Sequence, residues 1–171
     1  MRWLIFTILA IAALTLQSSI APRVAPLGAR PDWLLVFVVF IALHAPPRQA
    51  IVAAWIIGGL ADVMTIERVG LIAASYTLAA VAITCVRDYL FRDRASTALI
   101  VTLLACLAVR TLWTVYGQSM YGPLRSMSAT LSVDVLLASA HTALWAVPLH
   151  RGLWGISQTL GLLRPRYLPA G

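Results

Sequence analysis

The sequence has few charged residues: only 11% of its 171 positions are Asp, Glu, Lys or Arg, against about 25% in a soluble domain. Hydrophobic residues make up 61% of the chain, and its mean hydropathy is +0.88. A chain of this length could not hide so much apolar surface inside one water-soluble core. The composition therefore predicts a membrane protein and excludes an ordinary soluble enzyme, a disordered tail and a nucleic-acid-binding domain.

Lysine is absent, so all 13 basic residues are Arg, and they outnumber the 6 acidic residues to give a net charge of +7. In a soluble protein this excess would indicate a nucleic-acid partner. Here the arginines lie singly or in small groups between apolar runs, which predicts the anionic lipid bilayer as the partner and no nucleic acid. The two cysteines, Cys85 and Cys106, are too few for a disulfide framework and are predicted to be free, small apolar residues.

Six apolar runs are long enough, or nearly so, to cross a bilayer, whose core takes about 20 residues of helix. They predict an all-α polytopic membrane protein, a six-helix bundle that forms a single integral membrane domain over residues 1–171. The predicted spans are 3–20, 31–45, 49–66, 69–91, 95–117 and 127–147. The second span is short, so we expect it to tilt little or to lie inside the bundle.

The first apolar run and the segment after the sixth span each allow more than one interpretation. Pro22 follows the only plausible cleavage point after the first run, and this favours an uncleaved anchor helix over a signal peptide. After Pro148, residues 149–164 show helical spacing with a polar face, which predicts a short helix at the membrane interface. Trp55 lies in the middle of the third span, and we expect it to pack against another helix.

The distribution of arginines predicts the orientation. With six spans both termini lie on one side, and cytoplasmic termini would place eight arginines inside and four outside, as the positive-inside rule requires. The inner set is Arg2, Arg48, Arg87, Arg92, Arg94, Arg151, Arg164 and Arg166, and the outer set is Arg23, Arg30, Arg68 and Arg125.

The candidate functional cluster consists of Asp62, Arg110 and Asp134, which lie within the predicted spans in the outer half of the bilayer. A lone charge at the bilayer centre costs at least ~2.5–3.5 kcal/mol, so each should have a partner or reach water. At 1.5 Å per residue, Asp62 lies ~6 Å and the other two ~10 Å from the outer end of their spans. We hypothesise that Arg110 pairs with Asp62, Asp134 or both. The cluster is then either a buried ion-pair network that fixes helix packing or a ligand site in an outward cavity.

Small residues at four-residue spacing in the third span, Ala50, Ala54 and Gly58, predict close helix packing within the bundle or a face for a partner. His44 and His141 are titratable residues in predicted spans, but their spacing resembles no metal site. No serine lies in a nucleophile motif. We therefore predict no catalytic residue, no metal and no cofactor.

The centre of the chain resembles a known family. Pro31 and Asp32 open the second span, Gly59-Leu60-Ala61-Asp62 closes the third, and Gly70 and Tyr76 follow in the fourth. These residues, within positions 31–83, resemble the rod shape-determining protein MreD family.

The resemblance implies a non-enzymatic, multi-pass scaffold subunit of the bacterial inner membrane that takes part in peptidoglycan elongation and the regulation of cell shape. Its implied partners are MreC, MreB, a SEDS glycosyltransferase and a class B transpeptidase. The family is similar in architecture to the substrate-binding subunits of energy-coupling-factor transporters. The alternative is therefore a small-solute carrier or transporter subunit with a cavity lined by Asp62, Arg110 and Asp134.

Overall fold

The computed structural model describes residues 3–20, 23–24, 31–64, 70–89, 95–121 and 133–160, and all regular secondary structure in these ranges is helical. The six α-helices are α1 (Trp3–Ser19), α2 (Trp33–His44), α3 (Pro47–Met64), α4 (Leu71–Val86), α5 (Ala95–Tyr121) and α6 (Val133–Leu160). A 3₁₀ turn, Arg87–Tyr89, continues α4.

The short helix α2 is the centre of the molecule. It contacts each of the other five α-helices, and every residue from Trp33 to Leu43 is buried. A helix that is apolar all round belongs inside a larger apolar assembly. Of the two expectations for the second apolar run, little tilt or a place inside the bundle, this burial agrees with the second. Asp32 starts the helix as its N-cap, with a side-chain oxygen that accepts a hydrogen bond from the Leu35 amide at 3.1 Å.

The α3–α4 pair is packed closely because of one glycine. A Cβ atom built on Gly58 would lie 2.5 Å from Ala73 Cα and 2.9 Å from the Ala73 amide nitrogen. Both are backbone atoms of α4, so no side-chain movement would relieve the overlap. Gly70, just before α4, has φ of 107°, a left-handed conformation that glycine adopts at no steric cost.

The helix α6 runs without a break from Val133 to Leu160, with Pro148 inside it. The segment 149–164 therefore begins as part of α6 and not as a separate helix, and its seating at a membrane interface stays a prediction. Its residues after Leu160 lie outside the described ranges. Trp55 also differs from expectation, since 63% of its surface is exposed and it does not pack into the bundle.

Two stretches of the described residues are long and apolar enough to cross a membrane, Leu71–Tyr89 and Ser96–Tyr116. The apolar helices Trp3–Ser19 and Trp33–His44 are shorter.

Contacts near the ends of the helices show which helix ends lie next to each other. We name the two opposite ends of the molecule after Asp32 and His44, the residues that flank and end α2. At the Asp32 end, Gln17 near the end of α1 contacts the start of α2, and Asp62 near the end of α3 contacts the start of α4. At the opposite, His44 end, Arg87 after α4 contacts the last residues of α2. Successive helices from α1 to α4 thus run in alternating directions.

Candidate functional site

At the Asp32 end, a set of polar side chains connects the six helices through hydrogen bonds and, for Arg110, through an electrostatic interaction. We call this set the polar layer. Its members are Gln17, Asp32, Asp62, Ser75, Tyr76, Arg110, Trp113 and Thr142.

Asp32 is the centre of the polar layer. The Tyr76 hydroxyl of α4 donates to its carboxylate and lies 2.8 and 2.7 Å from the two oxygens. The backbone amide of Asp32 donates to Thr142 Oγ1 of α6 at 3.1 Å. Arg110 of α5 lies close enough to interact electrostatically with both Asp32 and Tyr76. One acidic residue thereby holds the start of α2 against three other helices.

Gln17 attaches α1 to the same place. Its Oε1 accepts a hydrogen bond from the Trp33 amide at 2.9 Å, and its Nε2 donates to the Pro31 carbonyl at 3.1 Å. The first amides of a helix have no partner within the helix, so Gln17 satisfies one of these groups from a neighbouring helix.

Asp62 attaches α3 to the start of α4. Its two carboxylate oxygens accept hydrogen bonds from the amides of Ile72 at 3.0 Å and Ala73 at 2.9 Å. A carboxylate at this place satisfies two otherwise unpaired amides and lies at the positive end of the helix dipole. Only 1% of Asp62 is exposed. Its carboxylate therefore has a structural function that requires no ligand.

A second contact joins α4 to α5. Trp113 Nε1 donates to Ser75 Oγ at 3.0 Å, and Ser75 in turn donates to carbonyls of the preceding turn of α4. Side-chain hydrogen bonds of this kind help to hold helices together in lipid, where the hydrophobic effect does not.

The structure brings together some of the predicted site residues. Asp62 and Arg110 both belong to the polar layer, whereas the side chain of Asp134 lies outside the described part of the chain. The pairing of Arg110 with Asp62 or Asp134 stays a prediction. Asp32 was predicted only as a family-motif position and not as part of the charged cluster, although its position directly before an unbroken apolar run is typical of a helix N-cap.

Some of the family-motif positions lie at contacts between helices, and others do not. Asp32 and Tyr76, which are distant in sequence, are hydrogen-bonded to each other. Asp62 and Gly70 lie at the junction of α3 and α4, whereas Gly59 has no atom within 4 Å of a built Cβ and Leu60 is 38% exposed. Three motif positions, Asp32, Asp62 and Tyr76, thus belong to the polar layer, and the buried Pro31 contributes its carbonyl to the Gln17 side chain.

The face formed by Ala50, Ala54 and Gly58 is occupied within the bundle. Both alanines are 1% exposed, and Gly58 lies against the backbone of α4. Of the two interpretations of this spacing, internal packing is the one that these contacts favour.

A cavity of about 240 Å³ lies between α1, α2 and α6. Its lining is apolar and includes Leu9, Phe37, Leu149 and Leu153. Neither Asp62 nor Arg110 lines it. This cavity is therefore not the polar cavity that the carrier alternative requires.

Comparison of the sequence with models of known protein families gives one match. The family model described as rod shape-determining protein MreD matches residues 1–150 of the chain. The curated proteins and the solved structures compared with the chain gave no match. Because the matched residues cover most of the sequence, including the whole polar layer, the chain belongs to the rod shape-determining protein MreD family and has a role in determining rod shape.

Proposed function

We propose that this protein is a non-enzymatic scaffold subunit of the peptidoglycan elongation machinery, with six spans in the bacterial inner membrane and both termini in the cytoplasm. Membership of the MreD family over residues 1–150 carries the proposal. The proposed partners are MreC, MreB, a SEDS glycosyltransferase and a class B transpeptidase.

The polar layer supports a scaffold because its acidic groups bind the protein itself. Both oxygens of Asp62 accept backbone amides, and both oxygens of Asp32 contact the Tyr76 hydroxyl. A solute carrier must offer such groups to its ligand, and doing so here would break helix caps. A scaffold needs a fixed arrangement of helix faces, which internal hydrogen bonds supply.

Co-purification tests the proposal. The tagged chain is extracted from its native membrane in a mild detergent, and the proteins that accompany it are identified by mass spectrometry. Near-stoichiometric recovery of MreC or a wall-synthesis polymerase is the expected result. Recovery of an ATPase pair with a coupling membrane subunit would contradict it and make the chain a transporter component.

The substitution Asp62→Asn also distinguishes a scaffold from a solute carrier. In a scaffold it lowers the stability of the protein and the yield of the assembly in parallel, because the cap of α4 is weakened. In a carrier it abolishes the uptake of one solute while the folded protein persists. Asp88→Asn is the matched control, since Asp88 has a side chain that is 71% exposed at the other end of α4.

A further inference from the structure

The apolar cavity between α1, α2 and α6 is a slot with a floor and two walls. Its floor is the start of α2, where Trp33, Val36 and Phe37 are all buried. One wall consists of residues of α1 between positions 9 and 16, and the other of residues of α6 between positions 148 and 156. None of the described residues that line the slot is charged.

The slot opens between its two walls, on the side away from α2. Leu16 on α1 is exposed, and so are Pro148, Gly152 and Ile156 on α6. Gly152 widens the opening, because a Cβ atom added there would meet no atom within 4 Å. The slot is therefore reached from outside the bundle, where the membrane placement proposed above puts lipid chains.

The dimensions of the slot fit one hydrocarbon chain. At a rise of 1.5 Å per residue, its walls are ~10 Å long on α1 and ~12 Å long on α6. A volume of about 240 Å³ spread over that length leaves roughly 20 Å² in cross-section. A helix with its side chains is about 10–12 Å across, so it could not enter the slot. An unbranched acyl chain that runs parallel to the helices could.

The apolar lining favours a hydrocarbon over water. Cavities lined by apolar side chains stay dry, and an empty slot would leave its lining atoms without van der Waals partners on one side. In lipid, where the hydrophobic effect between helices is absent, such packing contacts carry much of the association energy. An acyl chain is the occupant that the surrounding bilayer supplies and that the lining fits.

Trp33 gives a second indication of an occupant. Only 7% of this floor residue is exposed, and its indole Nε1 has no hydrogen-bond partner. A buried tryptophan N–H usually has an acceptor, and tryptophan is common where an apolar region meets a polar boundary. Trp33 is the first residue of α2, at the Asp32 end of the slot. The ester carbonyl at the start of a phospholipid chain is an acceptor of the kind that this N–H lacks.

We propose that the slot binds one acyl chain of a phospholipid, with the ester carbonyl of the chain at Trp33 and its methylenes between α1 and α6. The bound chain then joins two helices that hold it from opposite sides. The proposal rests on the membrane placement proposed above but on none of the proposed partners. It is tested on the isolated protein, so its failure would leave the co-purification result unaffected.

Native mass spectrometry of the delipidated full-length protein tests the proposal. The protein is titrated in detergent with palmitoyl-oleoyl phosphatidylglycerol, and we expect one tightly bound lipid per chain. Gly152→Leu places a side chain in the slot. It should lower the affinity for this lipid by about tenfold or more, because the leucine and the acyl chain compete for the same space.

Gly155→Leu is the matched control. Gly155 is also a helical glycine of α6 with no atom within 4 Å of an added Cβ, but it does not line the slot. Both substitutions raise the helix propensity of α6, so both variants should fold. Gly155→Leu should bind the lipid as the parent does. Absence of a tightly bound lipid in the parent, or equal loss in the two variants, overturns the proposal.

Trp33→Phe tests the position of the ester group. The variant keeps an aromatic ring on the floor of the slot and loses the indole N–H. Its affinity for the ester lipid should fall by about fivefold, as expected for one hydrogen bond. Its affinity for an ether lipid with the same chain lengths and headgroup should equal that of the parent, because the ether linkage has no carbonyl. An equal effect on the two lipids would contradict the placement of the carbonyl at Trp33.

Photo-crosslinking of the parent protein avoids dependence on the folding of the variants. One equivalent of a phosphatidylglycerol with a diazirine in the middle of one acyl chain is bound and irradiated, and the adducts are mapped by tandem mass spectrometry. Adducts on the walls of the slot, such as Leu9 and Leu153, are expected. Adducts on outward-facing residues such as Trp55 and Leu104, which are 63% and 60% exposed, with none on the walls would overturn the proposal.

Discussion

Asp32 and Tyr76 form the contact at the centre of the polar layer. The Tyr76 hydroxyl donates to a carboxylate that also caps α2, and only 2% of Tyr76 is exposed. A neutral hydrogen bond between membrane helices contributes about 0.6 kcal/mol on average. The carboxyl acceptor raises this contribution, because a partly buried carboxyl group that loses a donor keeps its desolvation cost.

Tyr76→Phe is therefore expected to lower the free energy of unfolding by about 1–2 kcal/mol. The ring volume is retained, so the change removes the hydroxyl alone. Unfolding in mixed detergent and dodecyl sulfate measures the effect. Tyr89→Phe is the control, since Tyr89 is 88% exposed, and equal effects of the two substitutions would refute the role assigned to the Tyr76 hydroxyl.

Gly58 gives a second prediction at a single residue. A methyl group there meets the Ala73 backbone at 2.5 Å, so Gly58→Ala must push α3 and α4 apart at a cost of about 1–3 kcal/mol. Gly59→Ala meets no atom within 4 Å and should gain helix propensity of up to about 1 kcal/mol. Thermal denaturation in detergent compares the pair, and a Gly58→Ala protein as stable as Gly59→Ala would contradict the close approach.

At the scale of the element, the helices were predictable and the contacts between them were not. The apolar run from Trp33 to Leu43 predicted a helix, because lipid leaves the backbone few other ways to pair its polar groups. The hydrogen bond from Tyr76 to Asp32 depends on how α4 packs against α2, which no local pattern encodes. The same reason hid the proximity of His44 and His150 and the burial of Arg87, which the sequence analysis assigned to the inner set of arginines.

The cap of α4 leads to an element-scale prediction. Asp62→Asn keeps the shape of the side chain but offers one oxygen in place of two to the amides of Ile72 and Ala73. Hydrogen exchange of these two amides should become about tenfold faster, since the first turn loses a charged acceptor and opens more often. Exchange in the second half of α4 should not change.

Asp88→Asn serves as the control for that measurement, because Asp88 follows the opposite end of the helix. Unchanged exchange at Ile72 and Ala73 in Asp62→Asn would show that the cap does not hold the start of α4. Equal acceleration along the whole helix would instead indicate global destabilisation, and the local role of Asp62 would be wrong.

At the scale of the whole molecule, one set of polar groups lies at each of the two opposite ends of the helices. The Asp32 end carries the polar layer, and the His44 end carries Arg87 and the two histidines. Arg48 in the first turn of α3 is exposed at the His44 end, which is the end that the arginine distribution assigns to the cytoplasm. Met64, at the other end of the same helix, is 70% exposed.

This division predicts the accessibility of single cysteines on the two sides of the membrane. In a Cys85→Ser background, Met64→Cys should react with a membrane-impermeant maleimide in intact spheroplasts, whereas Arg48→Cys should react only after the membrane is permeabilised. Cys106 is fully buried and provides the unreactive reference. The reverse pattern would invert the orientation, and reaction of both cysteines without permeabilisation would place both ends of α3 on one side and refute its assignment as a span.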